Sequence, residues 1–294
     1  MTAPLALIAE QDFAGRQSVG KRSGQEDAYA FSVIPARAGA ASGLLLIVAD
    51  GMGGHAAGNR ASELAVRTFG GAFHHGGETM RDRLSRALDA ANDALAAAIN
   101  ADPDNLEGMG TTLLAAAITP LGLEWISVGD SPLYLLRRGT LRRVNADHSF
   151  RPVLREMVAN GELTEDQAAV SSLRNRLRAA LIGGEIALVD LPPTALPLLD
   201  GDIVLAGSDG LQTLPDAALA DVLRQHASAD AATLAARLVQ AVLEAGAAKQ
   251  DNITAAIVKP AADWLLAPFD FAPARPAEDP AEITQRIVPR HPAP

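Results

Sequence analysis

Short apolar runs recur along the chain at Leu44–Ala49, Thr112–Thr119, Leu123–Val128, Ile203–Ala206 and Ile253–Val258, bounded by Gly, Asp or Pro. Runs of this length predict buried strands, and most of them touch an acidic residue at one end. Leu133–Arg138 and Leu141–Val144 flank Gly139–Thr140, a pattern that predicts a hairpin with a tight turn and a basic, solvated tip. Helical spacing marks Asn59–Phe69, Glu78–Asn100 and Asp216–Gly246, all rich in Ala and Leu with charges on one side. Strands alternating with long helices point to sheets sandwiched between helical layers.

Residues 147–185 break this pattern. They are polar and irregular, interrupted by Gly161, Arg174–Arg178 and Gly183–Gly184, and predict a flap on the surface. From Pro268 onward Pro is dense and apolar residues are few, a composition that cannot offset chain entropy by burial. The expected organisation is one large domain over 1–262 and a flexible Pro-rich tail over 263–294.

Composition narrows the chemistry. The 294 residues are 48% hydrophobic, enough for a sizeable core, and carry neither an apolar run of about 18 residues nor a signal-like segment. The expectation is a soluble, cytoplasmic protein with no membrane partner. With no cysteine, disulfides, thiolate metal sites and cysteine nucleophiles are excluded. A formal charge of -10 repels polyanions, so nucleic acid is not an expected partner.

Acidic residues sit where strands meet glycine turns. Asp50 ends an apolar strand and is followed by Gly51, Gly53 and Gly54, a turn that can expose a carboxylate and a carbonyl to a cation. Taken alone, an Asp-Gly turn is more often structural. Asp209 follows the strand at Ile203–Ala206, and Asp251 precedes the strand at Ile253–Val258. Carboxylates converging on one point repel unless divalent cations neutralise them, and oxygen ligands favour magnesium or manganese. Arg22 stands four and five residues before Glu26 and Asp27, so it can grip a phosphate while those acids serve metals; a solvated charged loop is the plainer alternative.

In order, GKRSGQEDA at Gly20–Ala28, DGMGGHAAG at Asp50–Gly58, GMGTT at Gly108–Thr112, GDS at Gly129–Ser131, DHS at Asp147–Ser149, GSDG at Gly207–Gly210 and DN at Asp251–Asn252 resemble the type 2C protein phosphatases of the metal-dependent protein phosphatase family, in its bacterial branch. The resemblance implies an α+β fold: a four-layer α-β-β-α sandwich of two mainly antiparallel sheets flanked by helix pairs, with a catalytic domain over 1–262. It implies two Mn2+ or Mg2+ ions per site. Asp50 bridges them, Glu26 and the Gly51 carbonyl serve one, Asp209 and Asp251 hold the other, and Asp27 acts through a water. Asp130 with Asp209 corresponds to a third metal site, and Arg22 to the phosphate clamp. The implied reaction is hydrolysis of phosphoserine and phosphothreonine on proteins by metal-activated water, in a monomer that opposes a bacterial Ser/Thr kinase and acts on its targets.

The sequence also departs from the family pattern. Gln25 stands where Asn is usual, with an amide of longer reach. Pro132 replaces an arginine common after GDS, which removes a cation near Asp130. Met52 occupies the position of the histidine to which eukaryotic members assign leaving-group protonation, so no general acid is named; His55 is expected to start a helix or turn, and His148 to organise the flap. His74–His75 reads as a loop pair, and Thr111–Thr112 as a strand start. Arg174, Arg176 and Arg178 are either a solvated face or a guide for an acidic phosphopeptide. Two other functions compete: a phosphatase of anti-sigma-antagonist signalling proteins, a group that usually lacks the arginine of the first motif, and a catalytically inactive phosphoprotein-binding module, which would be expected to have lost metal carboxylates.

Overall fold

The computed structural model describes residues 7–35, 42–75, 77, 79–260 and the backbone of 286–287, without the side chains of His55 and Ala56. Apart from 286–287, the tail expected over 263–294 lies outside the described residues. Two strands that the apolar pattern does not mark open the fold: β1 (Phe13–Ser18) and β2 (Asp27–Ile34). β1 hides its character because Gly15, Arg16 and Gln17 interrupt it. Gly15 is required by close packing, since a Cβ there would stand 2.2 Å from the Tyr29 ring, and the Tyr29 hydroxyl donates to the Gly15 carbonyl at 3.0 Å.

β3 (Gly43–Met52) shows why the other strands read as unbroken apolar runs. Leu45, Ile47 and Ala49 pack toward helices α1 (His55–His75) and α2 (Met80–Ala101), whereas Leu44, Leu46 and Val48 face a second sheet. A strand covered on both faces has no polar side to alternate with. After the short helix α3 (Pro103–Leu106), β4 (Gly110–Thr111) pairs with the end of β3. β5 (Leu113–Thr119) then divides its residues as β3 does, and β6 (Gly122–Val128) pairs with it.

The hairpin forms from β7 (Leu133–Arg137) and β8 (Thr140–Arg143), but its turn is Arg138–Gly139, one residue earlier than expected. Both turn residues have positive φ, 51° and 77°, the twist that two-residue hairpins favour. The flap carries two short helices, α4 (Arg151–Ala159) and α5 (Glu165–Ala169), which makes it more regular than its polar sequence suggests. It is anchored on return, where Leu177 bridges to Ser149, Leu181 bridges to Thr111, and Ala179 and Leu181 enter the core.

β9 (Ile203–Gly207) leads through a 3-10 turn (Asp209–Thr213) into α6 (Asp216–Gln225) and α7 (Ala231–Glu244). The single helix expected over Asp216–Gly246 is thus two. Asp230 starts the second by accepting from the Thr233 amide at 2.6 Å, a side-chain cap that competes with continued helix. β10 (Ile253–Val258) closes one sheet, and the two-residue β11 (Arg286–Ile287) runs parallel to β2.

One sheet has the order β1-β10-β9-β7-β8 and the other β11-β2-β3-β5-β6; apart from β11, all the pairings are antiparallel. Three apolar clusters fill the gaps between α1/α2 and one sheet, between the two sheets, and between the other sheet and α6/α7. This is the expected α-β-β-α sandwich. Among the described residues no helix is long and apolar enough to cross a membrane.

Candidate metal centre

The ladders bring the acids to one end of the sandwich. Asp27 begins β2 and Asp50 lies near the end of β3, and the two are register partners. Asp209 follows β9 after Ser208 and Asp251 precedes β10, its antiparallel neighbour, so these two also share an end. Asp130 follows β6, whose last residue Val128 pairs with Leu113 at the start of β5.

Short side chains fix the backbone at Asp50. Its amide donates to Thr112 Oγ1 at 2.9 Å, while its carbonyl accepts from the Thr112 amide and from Thr111 Oγ1, each at 2.9 Å. Thr111 and Thr112 therefore do more than start a strand. The next amide, of Gly51, donates to the Glu26 carbonyl at 3.0 Å. Glycine is needed where these segments meet: a Cβ on Gly51 would stand 2.1 Å from the Gly58 carbonyl oxygen, and one on Gly58 would stand 2.3 Å from Glu26 Oε2. The Glu26 carboxylate and the Gly51 main chain thus lie together around Gly58.

Asn252 ties this half to the other. Its Oδ1 accepts from the Glu26 amide at 2.7 Å, and its Nδ2 donates to the carbonyls of Val19 and Gly24 at 3.0 and 2.9 Å. That buried amide ties three points of the loop bearing Arg22 and Glu26, which is also fastened by the Lys21 amide to the Gln250 carbonyl and by Asn59 Nδ2 to the Gln25 carbonyl. Asp27 is buried and accepts from Thr254 Oγ1 at 2.6 Å, with the Ser208 hydroxyl as a second donor. Gln25 Oε1 accepts from the Asp27 amide at 3.0 Å, while its buried Nε2 finds no hydrogen-bond partner among the described residues.

Electrostatics show how closely the acids converge. Burial pushes the Asp50 carboxyl well above the usual carboxylate range, and the charges of Asp27, Asp209, Asp130 and Asp251 push it further. Burial raises Asp27 and Asp130 to about 7 each. Asp209 is raised by burial and by Asp251, against the opposing pull of Arg151 and Arg22. Five carboxylates in one field are unfavourable unless cations compensate them, and an oxygen-only donor set suits a hard divalent ion. Among the described residues no three side chains form a ready-made ligand cluster.

Two arginines supply part of the compensation. Arg22 Nη2 lies 2.6 Å from Asp251 Oδ2, with the side chains 49% and 39% exposed, so the expected phosphate clamp is paired with an expected metal ligand. Arg151 reaches Asp130 and Asp209 from the flap. It carries no sequence motif, and its role becomes visible only once the flap is folded. Asp50, Met52, Asp130 and Asp209 line a cleft of about 620 Å³ whose other wall includes Arg176 and Arg178; Arg174 lies away from it, between α4 and α5.

His148 and His74 make hydrogen bonds within the fold. His148 Nδ1 accepts from the Gly129 amide at 3.3 Å and its own amide donates to the Gly129 carbonyl at 3.0 Å, while its carbonyl accepts from the Arg178 amide at 2.7 Å, joining GDS to the flap. Burial lowers its pKa. His74 and His75 end α1 rather than forming a loop, and His74 Nε2 bonds with Ser32 Oγ at 2.7 Å. His55 is the first residue of α1.

The fold is thus a four-layer α+β sandwich that gathers carboxylates at one end of its two sheets. The chain belongs to the protein phosphatase 2C family, whose profile matches residues 14–229. The serine/threonine protein phosphatase PstP of Mycobacterium tuberculosis is 35% identical over 216 residues, which are 72% of this chain and 40% of that relative. This chain therefore spans about two fifths of that protein. The serine/threonine phosphatase stp of Listeria innocua is 32% identical over 222 residues, covering 73% of this chain and 84% of the relative. The crystal structure of the catalytic domain of PstP in complex with 2 manganese ions matches with a TM-score of 0.64 at 34% identity, over 84% of this chain and 96% of that one.

Proposed function

We propose that this chain is a metal-dependent protein phosphatase that hydrolyses phosphoserine and phosphothreonine on proteins and opposes a bacterial Ser/Thr kinase. The observation that carries this reading is the convergence on Asp50, where burial and then four further aspartates raise its pKa in an oxygen-only site. Family membership and the serine/threonine phosphatase names of the relatives support it.

In this reading Asp50 would be shared by two divalent ions, manganese or magnesium, with Glu26 and the Gly51 carbonyl available to hold one of them and Asp209 and Asp251 the other. When bound, the ions supply a water that loses its proton near neutral pH, and they neutralise charge on the phosphoryl group. Arg22 exchanges Asp251 for the substrate phosphate, a step its exposure allows. Thr254 and Ser208 hold the Asp27 carboxylate in one orientation. The phosphorylated side chain enters the cleft between the acids and the flap wall at Arg176 and Arg178.

The test is turnover of a phosphothreonine peptide by the full chain with manganese, stopped by excess chelator. Undiminished turnover in chelator would sink the metal mechanism. Metal binding without hydrolysis of any phosphopeptide would favour an inactive binding module.

A further inference from the structure

Arg151 opens α4 at the near end of the flap, and its guanidinium extends toward the acidic centre. Nη1 lies 3.7 Å from Asp130 Oδ2 and Nη2 lies 3.9 Å from Asp209 Oδ2. The same group donates to Asn175 Oδ1 at 3.0 Å and to Gln212 Oε1. Its side chain is only 15% exposed. One planar cation therefore meets the ends of β6 and β9, the 3-10 turn after β9, and the far arm of the flap. Five N–H donors in a fixed fork make arginine suited to such a junction.

Pro132 led to the expectation that Asp130 lacks a neighbouring cation. Instead, Arg151 provides one from the flap, and Arg143 adds a bond from Nη2 to the Asp130 carbonyl at 2.9 Å. A divalent ion shared by Asp130 and Asp209 would need the carboxylate oxygens that the guanidinium already faces. The two cations compete for the same oxygens, and only one of them is covalently part of the flap.

We propose that Arg151 is a tethered cation that latches the flap onto the acidic cleft, taking the place between Asp130 and Asp209 that a third metal ion would need. The competition with metal rests on the proposed function; the latch does not. Arg151 acts by positioning the flap and by filling an electrostatic site. Lifting the flap exposes the aspartate pair to solvent cations, so flap order and occupancy of this third position are linked in opposite directions.

The latch is tested on the full chain in excess chelator by hydrogen exchange of the wild type, Arg151→Met and Arg151→Lys. Methionine keeps the stem and removes the fork. The expected result is exchange about tenfold faster across residues 151–178 in Arg151→Met, with β3 and β10 unchanged. Arg151→Lys should recover part of the protection, since an ammonium keeps the charge and loses the multiple contacts. Unchanged exchange in Arg151→Met overturns the latch. Manganese titration by calorimetry then tests the competition: Arg151→Met gains one weak site over wild type, and Arg151→Met with Asp130→Asn loses it again. Equal stoichiometry in wild type and Arg151→Met overturns the competition. A wild type that binds no manganese removes both the competition and the proposed function, while the exchange result still decides the latch.

Discussion

Asp27 and Asp50 face one another in a strand ladder, whereas Arg22 and Asp251 meet across two loops. The first pair is positioned by register, with Asp27 buried and Asp50 at the edge of the cleft, so its backbone geometry is as rigid as the sandwich. The second pair is half exposed and sits on a loop that Asn252 ties down at several points. The difference separates two requirements of the site. Holding charge against repulsion calls for burial and fixed backbone; the proposed exchange of Asp251 for a phosphate would call for a cation able to change partners.

The largest effect is expected on the rigid side. Asp50→Asn should lower kcat by about 10³-fold or more, a loss at the upper end for one electrostatic group, while circular dichroism stays that of the wild type. Near-normal turnover in that variant would show the centre to be misplaced. Arg22→Met tests the exchangeable side: kcat/KM for a phosphopeptide should fall about 10²-fold, yet unfolding free energy should change by less than about 1 kcal/mol, as expected of an exposed ion pair. A larger loss of stability would mean that the pair is structural.

Asn252→Ala joins the two cases, because it loosens the loop carrying both Arg22 and Glu26. Leaving the Glu26 amide and two carbonyls without their partner should cost about 2 kcal/mol in urea unfolding, and kcat should drop along with it. The smallest effect is a pH trend in the chelated protein. Asp27 and Asp130 sit at about 7 in the fold, above the unfolded carboxylate value. The folded state therefore binds the extra protons, so their contribution is full below the unfolded pKa and is lost as pH rises through about 7. Stability should fall over that window by on the order of 1 kcal/mol, and manganese should remove the trend by binding the ionised fold. A flat profile without metal would mean that the acids are compensated by protein cations alone.

The sequence made the acids legible because each stands beside a glycine or a strand end, and it made β3, β5 and β10 legible because burial on both faces leaves unbroken apolar runs. β1 was hidden for a local reason: Gly15 makes room for a ring contributed by β2. Arg151 was hidden for a topological one. Its partners Asp130, Asn175, Asp209 and Gln212 are assembled only by the folded flap and the two sheets. Asn252 stood inside a recognised motif, but its partner Val19 lies 233 residues away, so the motif gave its place and not its work.

β10 lies between β1 and β9, with Val258 opposite Phe13. On the ribosome, at about 5–20 residues per second, the first strand waits on the order of 10–50 s for its partner to emerge. β2, β3, β5 and β6, all made within residues 27–128, can pair long before that, leaving Leu44, Leu46 and Val48 of the half-built sandwich uncovered. The late-arriving strand also brings Asp251 and Asn252. The nascent chain therefore exposes apolar surface early and lacks one side of the acidic cluster until β10 arrives.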